Sequence, residues 1–160
     1  MFIKRLFEKH IAFEIHNPNI LITKSMTKNF VVLRENNIEY DIVKDGYLCF
    51  RANVFSDDCV LKVGLHYSCD HLQYIELFRP KEYYTEDYNI DVSFEDLNNQ
   101  ITSRYGKPTF KLIIPTTDAY AGSKTKWLLN GIKIDHWIME RFGLEEHLNI
   151  YLNLLYDPHI

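Results

Sequence analysis

The chain has 160 residues, of which 46% are apolar and 25% charged, with a formal net charge of −4. A chain of this length and composition buries about 70% of its unfolded surface, which excludes a disordered protein and predicts a globular one. The mild negative charge argues against nucleic acid as a partner, because nucleic-acid-binding proteins carry a strong surplus of Lys and Arg.

The cysteines and the hydropathy bear on where the protein acts. Cys49, Cys59 and Cys69 are odd in number and contain no C-x-x-C pair. A secreted disulfide framework favours an even count, so we expect reduced thiols in a cytoplasmic protein.

Charged residues interrupt the N-terminal apolar positions, and no apolar run approaches the ~20 residues of a membrane span. We therefore expect neither a signal peptide nor a membrane partner.

The first half of the chain predicts helices followed by a strand meander. Apolar residues at helical spacing predict a short helix over residues 2–11, and a second helix is expected from an N-cap at Ser25 to a stop at Asn36-Asn37. The apolar period then changes to two, which predicts antiparallel strands over residues 38–44, 47–55, 59–67 and 72–78. Asp45-Gly46, between the first two strands, is a dipeptide favoured in type I′ hairpin turns.

The second half repeats this order. Ser93 is the expected N-cap of a helix that ends at Gly106, and Asn130-Gly131 is the strongest hairpin signal in the chain. Further strands are predicted over residues 110–114, 126–129, 132–142 and 148–155. These elements predict an α+β fold, with an antiparallel sheet and two or three helices packed on one side. Two tandem helix–β-meander units are the finer version of this prediction.

The predicted domain organisation follows from the same pattern. We expect a single domain over residues 1–160. The alternative is two similar subdomains, over residues 20–80 and 92–156, joined by an acidic connector over residues 81–91.

No set of residues predicts catalysis, a metal site or a cofactor site. His136 and Glu140 fall on one face of a predicted strand, but four residues at strand rise separate them by about 13 Å, too far to share a metal. The chain has no G-x-S-x-G motif. In Gly122-Ser123-Lys124-Thr125 a serine separates the glycine from the lysine, which departs from the phosphate-loop pattern. We therefore expect no catalytic residues, no metal and no cofactor.

The charges are distributed unevenly along the chain. Residues 82–103 carry six carboxylates and no Lys or Arg, whereas residues 104–133 carry six basic residues against Asp118 alone. Tyrosines lie among the carboxylates, and tyrosine is enriched in protein interfaces while carboxylates steer a basic partner. The residues predicted to bind a basic protein are Glu82, Tyr83, Tyr84, Glu86, Asp87, Tyr88, Asp91 and, in the 115–123 loop, Tyr120. A solvated connector is the alternative interpretation of the acidic segment.

In size, acidity and its doubled helix–meander plan, the sequence resembles the immunity proteins that bacteria make against toxins. The resemblance implies a non-enzymatic inhibitor that neutralises a cognate basic toxin or enzyme, and no family motif accompanies it. We expect a monomer or homodimer.

Two other classes of function stay open. One is a small-molecule-binding or hydrolytic domain, whose pocket between sheet and helices would be lined by Trp127, Trp137, Tyr120, His66 and His136. The other is a structural subunit that dimerises through an exposed edge strand.

Overall fold

The computed structural model describes residues 11–26, 31–44, 46–114 and 122–152, and most of them lie in antiparallel strands. Strands β1 (Ala12–Ile15) and β2 (Ile20–Thr23) form a hairpin, and eight further strands form one sheet. These eight are β3 (Tyr40–Lys44), β4 (Tyr47–Asn53), β5 (Val60–Ser68), β6 (His71–Phe78), β7 (Phe110–Leu112), β8 (Lys124–Leu129), β9 (Ile132–Glu140) and β10 (Leu144–Leu152). The helices are α1 (Val31–Glu35), a 3-10 turn (Lys81–Tyr83) and α2 (Ile90–Tyr105).

The eight-stranded sheet consists of two meanders placed side by side. Its strand order is β3-β4-β5-β6-β10-β9-β8-β7, and every neighbouring pair is antiparallel. Strands β6 and β10 join the meanders, while β3 and β7 form the two edges. The sheet is therefore continuous from one meander to the other, and the prediction of two similar subdomains stays a prediction.

The predicted α+β class is wrong, because the fold is mostly β. Two or three helices were expected on the sheet, but among the described residues only α2, with 16 residues, exceeds a short turn of helix, and α1 has five. The hairpin β1–β2 was not predicted as strands. Its short apolar alternations bury Phe13 and Ile22 in the core, where helices were expected to cover the sheet. The helix predicted over residues 2–11 lies outside the described residues, except for Ile11.

One face of the sheet carries the core. Where β10 pairs with β6 at the centre of the sheet, Leu148 lies opposite Leu77 and Ile150 lies opposite Ile75, and all four side chains are buried. Phe94, Leu97 and Ile101 of α2 are also buried, and α2 packs on β9 and β10. Because side chains alternate along a strand, the other face of the sheet carries the intervening, more polar residues.

The two predicted hairpin turns are where the sequence placed them. Asn130-Gly131 joins β8 to β9, with a φ of 79° at Gly131, and Gly46 has a φ of 83° immediately before β4. Asp45 itself lies outside the described residues. Positive φ is the conformation that glycine adopts without steric cost, which explains its place in both turns.

In the part of the chain that the structure describes, no helix has both the length and the apolar character needed to cross a bilayer.

We predict that Gly46→Ala lowers the free energy of unfolding by roughly 1–3 kcal/mol. A Cβ at this position would lie 2.5 Å from the backbone carbonyl oxygen of Tyr67 and would face a positive φ. Gly143→Ala is the matched control, because Gly143 also has a positive φ but nothing within 4 Å of an added Cβ. Urea denaturation of both variants measures the difference. Equal losses would show that the Tyr67 contact adds nothing to the backbone cost.

Candidate protein-binding site

Residues 79–89, which link β6 to α2, hold most of the residues that the sequence singled out. We call them the tyrosine segment, and we call the rings of Tyr83, Tyr84 and Tyr88 the tyrosine cluster. Tyr83 N donates to Pro80 O at 2.9 Å, and Tyr88 N donates to Thr85 O at 3.0 Å, so successive tight turns shape it. Helix α2 begins at Ile90 because the Asn89 side chain accepts a hydrogen bond from Val92 N at 3.0 Å. The N-cap predicted at Ser93 is therefore wrong by one turn. Ser93 is instead fully buried.

Three tyrosines of this segment form one cluster of rings. The ring centroids of Tyr84 and Tyr88 are 4.9 Å apart, and both lie within 6.3 Å of the Tyr83 centroid, in edge-to-face geometry. The guanidinium of Arg79 stacks on Tyr83 at 4.1 Å from the ring centroid. Tyr88 also packs on the small core of Ile90, Phe94 and Ile138. Tyr84 is 52% exposed, so it presents its ring to solvent while Tyr83 and Tyr88 support it.

A buried polar network lies beneath the tyrosine cluster. The side chain of Arg79 is buried and donates through Nε to Ser93 Oγ at 3.0 Å. Ser93 Oγ donates in turn to Glu146 Oε2 at 2.6 Å. Arg79 also forms an ion pair with Asp96 at 2.8 Å, which balances its charge. Strand β10 is thereby tied to both α2 and the start of the tyrosine segment.

His136 occupies the other side of Glu146. Its Nε2 lies 2.9 Å from Glu146 Oε1, its Nδ1 lies 2.9 Å from Asn98 Oδ1, and its ring stacks on Phe94 at 4.1 Å. Burial lowers the pKa of His136, although the hydrogen bond to Glu146 acts in the opposite direction. In the neutral ring Nε2 donates to Glu146 and Nδ1 is an acceptor. An end-for-end rotation of the Asn98 amide, which exchanges its oxygen and nitrogen, would direct the NH2 group to Nδ1 and give a partner to an amide nitrogen that is otherwise buried without one among the described residues.

A surface depression of about 500 Å³ opens beside the tyrosine cluster. We call it the acidic depression. Strand β10 pairs with β6 only over Leu148–Ile150, so the preceding residues of β10 line a gap rather than continue that pairing. The lining residues are Tyr47, Glu76, Phe78, Tyr84, Tyr88, Leu144, Glu145, Glu146 and His147.

The electrostatics of the acidic depression are negative. Among the described residues, its lining includes three carboxylates and no Lys or Arg. Burial raises the pKa of Tyr84 and of Tyr88, and the negative charge of Glu146 raises both further. Burial likewise raises the pKa of Tyr47, with further contributions that include Glu76. The phenols therefore stay neutral at physiological pH, and the carboxylates dominate the local potential.

The six carboxylates of residues 82–103, four of which were predicted to bind a partner, do not form a single free surface. Glu82 pairs with Arg51, Glu95 pairs with Lys111 and Asp96 pairs with Arg79. These pairs reduce the uncompensated charge that the sequence alone suggested. Glu86 and Asp87 are exposed and form no ion pair with any described residue. Asp91 lies in the first turn of α2, and Tyr120 lies outside the described residues.

The residues suggested for a small-molecule pocket do not come together. Trp127 is in the core, where its Nε1 donates to Gly106 O at 3.0 Å, and His136 is buried under α2. Trp137 and His66 lie on the opposite face of the sheet, stacked on His147 and on Tyr47 respectively. Tyr120 lies outside the described residues. Within the described part of the chain, no group of three or more His, Cys, Asp and Glu side chains could hold a metal ion.

The sequence reasoning missed Glu146, although the chain contained a signal for it. Glu146 is in phase with Leu148, Ile150 and Leu152 on β10, which places it on the core face. His136 is in phase with Ile134 and Ile138 on β9 in the same way. The predicted strand began at Leu148 and so excluded Glu146. Glu76 and Tyr47 had no comparable signal, because only the pairing of β4, β5 and β6 brings them to the depression.

Comparison with known proteins adds no assignment. The chain matches no protein-family model, and no similar chain was found among curated proteins or solved structures.

We predict that Ser93→Ala lowers the free energy of unfolding by roughly 1–3 kcal/mol, because it removes the hydroxyl that accepts from Arg79 and donates to Glu146. Ser103→Ala is the matched control, since Ser103 is an exposed residue of the same helix. Chemical denaturation measures both variants. If the two variants were equally stable, the buried network would contribute nothing to folding.

An unperturbed histidine has a pKa of about 6.5. We also predict that the imidazole of His136 stays neutral below that pH. The unfolded chain then binds a proton that the folded chain does not bind. This group's contribution to stability is therefore complete above about pH 6.5 and is lost as the pH falls towards the folded-state pKa. Histidine-selective NMR titration follows the ring directly. A ring of His136 that gains its proton above pH 6.5 would contradict the prediction.

Proposed function

We propose that this chain is a non-enzymatic protein-binding domain that binds a basic protein through the tyrosine cluster and the carboxylates around it. The observation that carries the proposal is Tyr84, a large exposed ring held by Tyr83 and Tyr88 at the rim of a depression lined by three carboxylates. A rigid aromatic side chain loses little conformational entropy on binding, and aromatic residues are common among interface hot spots.

The buried network supports a binding surface that is set before the partner arrives. Arg79 is fixed by Ser93 and Asp96, and its guanidinium supports the ring of Tyr83. Tyr88 is held from the other side by Phe94 and Ile138. A surface that is already ordered avoids part of the entropy cost of association.

Within this class we propose an inhibitor of the immunity type, which acts in the cytoplasm on a basic toxin or enzyme. The support is the small size of the chain, its net charge of −4 and its concentration of carboxylates around exposed aromatic rings. The free thiols of Cys49, Cys59 and Cys69 are consistent with a reducing compartment.

The described residues of this site provide no activated serine nucleophile for the hydrolytic alternative. Ser93 is the hydroxyl nearest to Glu146 and His136 in the network, but it is fully buried, and its proton is directed to Glu146 rather than to the imidazole. A nucleophilic serine requires a base that takes its proton and access for the substrate. The network therefore supports a structural role.

The proposal is tested with the product of the neighbouring gene, purified and titrated against this protein by surface-based kinetics. We predict that Glu86→Gln with Asp87→Asn slows association by about three- to tenfold at low salt, because exposed carboxylates steer a basic partner. We predict that Tyr84→Ala acts mainly on dissociation, which should accelerate about tenfold or more.

A matched control separates steering from total charge. Glu35→Gln with Asp58→Asn removes the same two charges from exposed positions elsewhere on the surface and should leave association nearly unchanged. The proposal would be wrong if no basic partner binds. It would also be wrong if a partner binds with rate constants that are unchanged in both the Glu86/Asp87 variant and the Tyr84 variant.

A further inference from the structure

The acidic depression has the chemistry of a site for an organic cation. Its three carboxylates come from two neighbouring strands, Glu76 from β6 and Glu145 and Glu146 from β10. The side chain of Glu146 is only 6% exposed, and its two oxygens accept from Ser93 and His136. Glu146 is on the core face of β10 and Glu145, the preceding residue, is on the opposite face, so Glu146 contributes its charge to the site without contacting the same groups as Glu145. Glu76 and Glu145, with side chains 29% and 44% exposed, can bind a ligand directly.

No Lys or Arg belongs to the lining that the structure describes, so no permanent cation neutralises this charge from within it. Arg79, the nearest buried guanidinium in the network, is directed to Asp96 and to the ring of Tyr83. Glu76 and Glu145 have histidine neighbours, His66 at 2.8 Å and His147 at 3.3 Å, and these rings carry charge only when protonated. The described lining holds three carboxylates and one histidine, His147, so it keeps an excess of negative charge whether or not that ring is protonated.

Four aromatic rings share the lining with these carboxylates. They are Tyr84 and Tyr88, which lie edge to face, and Tyr47 and Phe78. Tyr47 occupies space that a Cβ at position 64 would invade, since such a Cβ would lie 2.7 Å from its ring, and Gly64 leaves that space free. The Tyr47 ring also stacks on His66 at 4.3 Å, which fixes its orientation. Ring faces beside carboxylates attract cations through the ring quadrupole as well as through charge.

We propose that the acidic depression binds an arginine side chain that the basic partner inserts on docking. A guanidinium is planar, stacks on aromatic rings and donates in a fork that matches a carboxylate, whereas an ammonium is a compact and strongly hydrated charge. A volume of about 500 Å³ accommodates such a side chain together with part of the chain that carries it. This inference rests on the proposed function, because it names the group on the partner that the site recognises.

The test uses a capped Gly-Arg-Gly peptide as the probe. Titration into isotopically labelled full-length protein, followed by NMR, should show saturable binding at about millimolar affinity, with shifts concentrated at Tyr84, Tyr88 and Glu145. The same peptide with citrulline, which has the shape of arginine without its charge, should not bind. Glu145→Gln should weaken arginine-peptide binding about tenfold, and Tyr84→Ala about threefold. Glu35→Gln, an exposed glutamate outside the depression, should leave it unchanged.

Several results would overturn the inference. They are the absence of saturable binding, equal binding of the citrulline peptide, equal loss in the Glu145→Gln and Glu35→Gln variants, and a lysine peptide that binds as tightly as the arginine peptide. Glu76→Gln provides a second carboxylate variant, and NMR spectra of each variant verify folding before titration.

The same variants distinguish failure of the inference from failure of the proposed function. Suppose that a basic partner binds and that Glu86→Gln with Asp87→Asn slows its association, while Glu145→Gln has no effect. The arginine site is then wrong, and the protein-binding function is supported. If no basic partner binds, the proposed function falls, whatever the peptide does.

Discussion

The burial of Glu146 is the constraint on which the rest of the site depends. A carboxylate on the core face of a sheet is costly to desolvate unless hydrogen bonds compensate it. Here Ser93 and His136 supply those bonds from α2 and β9, and Arg79 extends the network to the segment after β6. One buried carboxylate therefore links a helix, two strands and a connecting segment through hydrogen bonds.

The seam between the two meanders explains why a depression forms there. Strands β6 and β10 pair over a short stretch, after which the chain leaves β6 at Arg79 and turns through the tyrosine segment. The first residues of β10 keep their pairing with β9, but they extend beyond the pairing with β6 and line the depression together with Tyr84 and Tyr88. A gap at such a seam exposes residues from both halves of the chain, so the recognition proposed above uses parts that are distant in sequence.

Ion pairing changes the meaning of the acidic segment. Counted along the sequence, residues 82–103 carry six unopposed carboxylates, but Arg51, Lys111 and Arg79 neutralise three of them in the folded chain. An excess of negative charge at a concave surface comes instead from Glu76, Glu145 and Glu146, which the sequence reasoning did not single out. The local surface charge therefore depends more on how the strands pack than on the order of charged residues along the sequence.

The sequence by itself determined the features that depend on local physics. Alternating apolar residues located the strands of both meanders, Gly106 ended α2, and Asn130-Gly131 required a tight turn because positive φ favours glycine. The sequence also placed Tyr84 and Tyr88 together, since they are near neighbours in the chain. Tertiary structure decided the class of the fold, because a hairpin and not a further helix covers part of the core. It also decided the site, because strand register and the desolvation of Glu146 bring Tyr47, Glu76 and Glu145 to the tyrosines, and no local pattern encodes contacts between strands so far apart in sequence.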